Sequence, residues 1–200
     1  MIDITRPIYP SVPVWPGDTP YCYELVSRIV DGSSVNVGKL TTTTHLGTHL
    51  DAPRHYLDTG EKLESVPFSV LVGPCRVVDA RGQETLSVDF LQKVELAERT
   101  LFYTGQPNNW PTFPHHFMHV EPEAVAHMAS RGVRLYGTDC PSVDPLTSKD
   151  LPAHKAFAQA GVYILEGLAL EGVAAGEYEL ICLPLRLEGV EAAPVRAILR

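Results

Sequence analysis

The chain has 200 residues, 44% of them hydrophobic and 20% charged, enough to bury one core, and no break in composition marks a second. Its formal net charge is -8 and its 16 basic residues form no run, which excludes the clustered cations that a phosphate backbone requires. The amino terminus lacks a basic start followed by an apolar run, and nowhere do eighteen apolar residues follow one another, so one soluble, cytoplasmic domain over residues 1–200 is expected.

After a proline-rich opening, "YCYELVSRIV" and "SVNVGKLTTTT" read as strands, the second running straight into a histidine cluster. "VLVGPCRVVDA" is a further strand, "LSVDFLQKVEL" a helix capped by Ser87, and "TLFYT" a strand. "GQPNNWPTFPHHFMHVEP" reads as a loop too polar and proline-rich for the core. "EPEAVAHMASRG" has helical spacing, with Pro122 near its start and Gly132 to end it, and "VRLYGTD" follows as a buried strand. A loop, "CPSVDPLTSKDLP", leads to a short helix, "AHKAFAQAG", and "VYILEGL", "EYELICLPLRL" and "PVRAILR" are the last strands. The sum is a mixed α/β fold, rich in strands.

Cys22, Cys75, Cys140 and Cys182 lie far apart with no CxxC pair, so reduced and mostly buried thiols are expected rather than a disulfide framework or a cysteine zinc site. No GxSxG, GxxxxGK or HExxH pattern occurs. His115 and His119 in "HHFMH" sit four apart, but on a proline-flanked loop they are a weak metal pair.

The informative stretch is "TTTTHLGTHLDAPRHY", in which His45, His49, Asp51 and His55 fall within eleven residues. Imidazoles and carboxylates are preferred ligands of zinc and its neighbours. On a straight strand His45 and His49 would share a face but stand about 13 Å apart along the chain, too far to share one ion. The backbone must bend between them. Gly47 supplies the freedom, and Pro53 makes a continuing helix improbable, so a strand ending in a kinked loop is expected. There His45, His49 and Asp51 can close on one metal, with His55 near enough to act on what the metal holds. Polar residues at a strand end with satisfied hydrogen bonds are the plainer alternative.

The motif HxGTHxDxPxH, His45 to His55, resembles the signature of the metal-dependent cyclase family, which includes the arylformamidases. "VPVWPGDTP", "GPCRVVDA", "GVRLYGTDCPSVDP", "SKDLPAHKAF", "YILEGLAL", "YELICLPLRL" and "APVRAILR" resemble blocks of that family's bacterial kynurenine formamidase branch, in order and over nearly the whole chain. The resemblance implies a swivelling-type β/β/α domain with a few packed helices. It also implies a ligand set for two divalent ions: His45, His49 and Asp51 for the first, His154 and Glu166 completing the second, with Asp51 and Glu166 reaching both. Zinc is the first choice, manganese and cobalt being suited to the same donors. His55 matches the catalytic acid/base and Trp15 an aromatic residue at the substrate.

The expected reaction is hydrolysis of N-formyl-L-kynurenine to L-kynurenine and formate in tryptophan degradation, by a homodimer. Taken singly, His154 reads as a surface helix residue, Glu166 as a strand-end carboxylate and Trp15 as core packing. Two rival functions stay open: hydrolysis of another small amide, such as isatin, by the same centre, and metal binding without catalysis.

Overall fold

The computed structural model describes residues 1–200. In chain order the strands are β1 (Ile2–Asp3), β2 (Cys22–Ser27), β3 (Val37–Thr41), β4 (His49–Asp51), β5 (Val72–Asp79), β6 (Thr85–Leu86), β7 (Arg99–Tyr103), β8 (His119–Val120), β9 (Leu135–Thr138), β10 (Tyr163–Glu166), β11 (Gly176–Pro184) and β12 (Ala192–Leu199). The α-helices are α1 (Phe68–Leu71), α2 (Val88–Leu91), α3 (Pro122–Ser130) and α4 (Pro152–Ala160).

Seven strands close into a barrel-like ring in the order β12, β11, β5, β7, β9, β10, β4, with β4 pairing back onto β12 and β1 alongside β12 beyond it. Strands β5, β7, β9 and β10 run parallel, and their neighbours at both ends are antiparallel. A parallel strand is covered on both faces, so its successive residues must both be apolar. Leu101, Leu135 and Leu165 accordingly join a cluster that draws on all seven strands, the interior of the ring. Their neighbours Phe102, Tyr136 and Ile164 turn outward into a second cluster with Ala124, Met128 and Phe157 of α3 and α4.

This alternation places the chemistry. Leu50 points into the ring, so His49 and Asp51 on either side of it point outward, toward the layer that carries α4. Glu166 follows Leu165 and also faces outward, directly opposite His49 in the β4–β10 register.

Several expectations are corrected. The strand expected to enter the histidine cluster stops at Thr41, and β2 and β3 form a separate two-stranded ribbon rather than joining the ring. His49 to Asp51 form their own strand. At Pro53 no longer helix continues, as expected; the proline opens a short 3-10 turn, Pro53–His55, at the first position, where its missing N–H costs nothing. Ser87 caps α2 by accepting from Phe90 N at 3.4 Å, but that helix ends at Leu91 because residues 92–98 must cross to β7. The 105–122 loop is not excluded from the interior, since Trp110 and Met118 within it are buried. Cys22 is exposed; the other three thiols are buried and all four are free.

Candidate metal centre and active site

Gly47 adopts φ +65, a left-handed turn that folds His45 back over β4, so the rings of His45 and His49 meet with centroids 4.9 Å apart. The turn is locked from beneath. Thr48 Oγ1 accepts from Arg6 N and donates to Gly167 O, both at 2.7 Å. Gly167, at φ +65, has no room for a side chain, because a Cβ there would fall onto Gly47 O. That same carbonyl lies 3.1 Å from His49 Nδ1 and turns Nε2 toward the carboxylates.

Around this turn five side chains converge. His45 Nδ1 is 3.1 Å from Asp51 Oδ1, and His49 Nε2 is 3.5 Å from Asp51 Oδ1 and 3.4 Å from Glu166 Oε2. His154 enters from α4, its Nε2 3.9 Å from Asp51 Oδ2 and 3.8 Å from Glu166 Oε1. Each carboxylate thus turns one oxygen toward His49 and the other toward His154. Asp51, His154 and Glu166 are buried, against the surface readings that His154 and Glu166 invite singly.

Both oxygens of Asp51, Oε1 of Glu166 and Nε2 of His45 are buried without a hydrogen-bond partner. Unpaired buried charge of this kind is costly, and divalent cations are the natural complement of two carboxylates among imidazoles. Donor atoms of His49, Asp51 and Glu166 lie within 4.8 Å of one another, as do those of His45, Asp51 and His55. The residues present therefore fit divalent metal.

The charges of these groups act strongly on one another. Burial favours the neutral acid at Asp51, but His45, His49 and His55 outweigh it and hold its carboxyl below the usual range. Glu166 is pushed up by burial and by the charge of Asp51. Burial opposes charge on His154, yet its hydrogen bond to Asp144, aided by Glu166 and Asp51, raises it. His55 is lowered to about 4 by loss of hydration, with Asp51 opposing and His45, His154 and His49 reinforcing the shift. Its ring lies 4.0 Å from that of His45 and borders both the main cavity and an outer groove lined by Arg54, Asp58 and Glu191.

The centre forms the floor of a cavity of about 320 Å³, within the range of small-molecule pockets. Trp15 lines it together with Trp110 and Phe113, the rings meeting edge to face at 5.5 Å (Trp15–Phe113) and 5.7 Å (Trp110–Phe113). Trp15 is therefore a wall residue rather than core packing. Arg6 holds this wall: its guanidinium donates to Pro107 O at 2.7 Å, Asn108 O at 2.6 Å, Gly167 O, Asp139 O and Leu168 O, and lies 3.8 Å over the Trp110 ring.

The family model that matches is that of the Cyclase family, over residues 2–145. The chain belongs to the Cyclase family. Its relatives include a kynurenine formamidase of Geobacillus thermodenitrificans, 43% identical over all of this chain and 96% of that protein, and one of Bacillus thuringiensis at 41% with the same coverage. Among solved structures, a potential metal-dependent hydrolase with cyclase activity superposes with a TM-score of 0.85 at 30% identity, covering 98% of this chain and 95% of the other. Isatin hydrolase A of Labrenzia aggregata shares the fold at 22% identity, with a TM-score of 0.82 and coverage of 99% and 92%.

Several residues of the site lie outside the sequence reading. Asp144, the acceptor of His154, has a signal only in hindsight, as an acid upstream of a Pro-initiated helix. Glu191, 3.5 Å from His45 Nε2, and Tyr56, ringed by His55 and His154, come from distant or unpatterned positions. Conversely, His115, His116 and His119 line an open groove apart from this centre and make no ligand cluster. Cys140 is buried and its thiol is pushed up to about 12 by loss of hydration, so it is no thiolate nucleophile.

Proposed function

We propose that this chain is a divalent-metal-dependent arylformamidase that hydrolyses N-formyl-L-kynurenine to L-kynurenine and formate. The observation that carries the reading is the opening of a two-carboxylate, three-imidazole centre directly into a cavity walled by Trp15, Trp110 and Phe113. Relatives bearing the kynurenine formamidase name over the full length support the same substrate.

In this reading His45, His49 and Asp51 would hold one ion, and Asp51, His154 and Glu166 would hold the other. Zinc is the choice the nitrogen and oxygen donors favour first. Bound divalent ions supply Lewis-acid activation of water and of the formyl oxygen. The protein's own groups do the rest. Trp15 and Phe113 hold the substrate ring so that the formyl group reaches the centre. His55 takes a proton from the attacking water and delivers it to the aniline nitrogen as the carbon–nitrogen bond breaks, leaving formate and a free amine. Its position between the cavity and the outer groove gives that proton an exchange path with solvent.

We also infer a single domain acting as a homodimer in the cytoplasm. The β2–β3 ribbon leaves Tyr23, Val26, Val30 and Leu40 exposed, Val30 at 86%, an apolar surface that a second copy would cover. No helix is long and apolar enough to cross a membrane. Four separate free thiols suit a reducing compartment.

A side-by-side assay of N-formyl-L-kynurenine and isatin tests the substrate. Preferential release of formate from the linear amide is expected. Faster opening of the cyclic amide would assign the centre to the other reaction.

A further inference from the structure

One carboxylate in the cavity wall stands outside the metal centre, that of Asp18. The sequence "WPGD" explains its position. Pro16 presets its own φ, Gly17 takes φ +98, and Asp18 N donates to Trp15 O at 3.0 Å, which closes a turn of the type that requires a left-handed third residue. The first and fourth residues of such a turn are neighbours. One turn therefore delivers both a flat ring and a negative charge to the same cavity.

No lysine or arginine lines the cavity to balance that charge. The neutral side-chain donors of the wall are the hydroxyls of Ser142 and Ser148 and the indole N–H groups of Trp15 and Trp110, the latter buried without a partner. A ligand whose ring lies on Trp15 and whose amide reaches the histidines must direct its remaining substituent along this wall. A positive group there meets Asp18, whereas a carboxylate finds only neutral donors. An ammonium held by a carboxylate is the stronger, charge-assisted contact.

We propose that Asp18 binds the α-ammonium of the substrate and so selects aryl formamides that carry an amino acid over neutral aryl formamides. This rests on the formamidase reading and adds the group that recognises the amino-acid end. The side chain is a specificity determinant in contact with substrate, and it takes no part in proton transfer.

The test is the ratio of kcat/KM for N-formyl-L-kynurenine to kcat/KM for 2-formamidoacetophenone, which keeps the ring, the ketone and the formamide but has no charge. In Asp18→Asn, a residue that turns accept, the ratio should fall roughly tenfold, mainly through KM for the charged substrate. Asp18→Glu keeps the charge and should hold the ratio within about threefold of the parent. An unmoved ratio in Asp18→Asn overturns the assignment, as does an equal fall in both carboxylate and amide variants. A parent enzyme that hydrolyses both amides equally well overturns the assignment while leaving the formamidase reading standing. A parent that hydrolyses neither overturns that reading and the assignment together.

Discussion

His154 Nδ1 lies 2.7 Å from Asp144 Oδ2, so the proton of this imidazole is held on the side away from the centre and Nε2 is left to face Asp51 and Glu166. The same carboxylate caps α4 by accepting from Ala153 N and His154 N, both at 3.0 Å. Asp144 is therefore a positioning residue for both the helix and the His154 ring. Asp144→Asn keeps one oxygen for the helix start, turns an NH2 toward the other donor and weakens control of the tautomer. Metal affinity should fall about 10- to 100-fold, with a smaller loss of thermal stability than in Asp144→Ala. Asp144→Ala should add a loss of about 1–2 kcal/mol. Metal titration alongside thermal melting separates the two effects, and wild-type affinity in Asp144→Asn would remove the positioning role.

The three histidines of the signature should part company on substitution. On the proposed assignment His45→Ala and His49→Ala each remove a bond to an ion, so metal content and turnover should fall together. His55→Ala should retain most of the metal and lose about 100-fold or more in kcat, the scale of a missing general acid/base. The geometry makes the comparison sharp, because His55 donor atoms lie within 4.8 Å of those of His45 and Asp51. Metal analysis beside turnover decides: metal loss in His55→Ala equal to the others would make His55 a ligand.

Trp15→Ala should weaken binding more than chemistry. A ring stacked on the substrate contributes alike in ground and transition states, so KM should rise more than kcat falls. An unchanged KM with an intact fold would return Trp15 to a packing role.

Arg6 is charged and buried, and burial pulls it down to about 10, still protonated at neutral pH. Arg6→Ala would orphan the carbonyls of Pro107, Asn108, Asp139 and Leu168, leave Gly167 O to Thr48 alone and unseat Trp110. Stability should drop by about 3 kcal/mol or more, and KM should rise as the aromatic wall loosens. Denaturant unfolding and steady-state kinetics read the two consequences, and a variant of parental stability would contradict this bonding account.

These residues also mark what a linear reading can reach. The signature exposes His45, His49, Asp51 and His55 because their spacing is local, and Gly47 shows where the bend must fall. His154, Glu166 and Trp15 are legible only through likeness to relatives, since an isolated histidine or glutamate carries no mark of the partner that buries it. Glu191 and the Arg6–Trp110 contact depend on closure of the ring, which brings residues 100 or more positions apart together, whereas Asp144 stands only ten positions from His154, in a loop whose residues carry no periodic pattern. Six of the seven ring strands are legible from β-branched and apolar runs, while β4 is hidden within the histidine cluster, and the separation of β2 and β3 into a ribbon is a matter of pairing, which local pattern does not encode. Trp110 and Met118 were hidden by the polar, proline-rich company they keep in the chain.

Formate release from N-formyl-L-kynurenine, measured on the purified protein before chelation, after chelation and after zinc is restored, tests metal-dependent formamide hydrolysis most directly. Activity should accompany about two divalent ions per chain, vanish on their removal and return with them. Full turnover in rigorously metal-free protein would contradict the account.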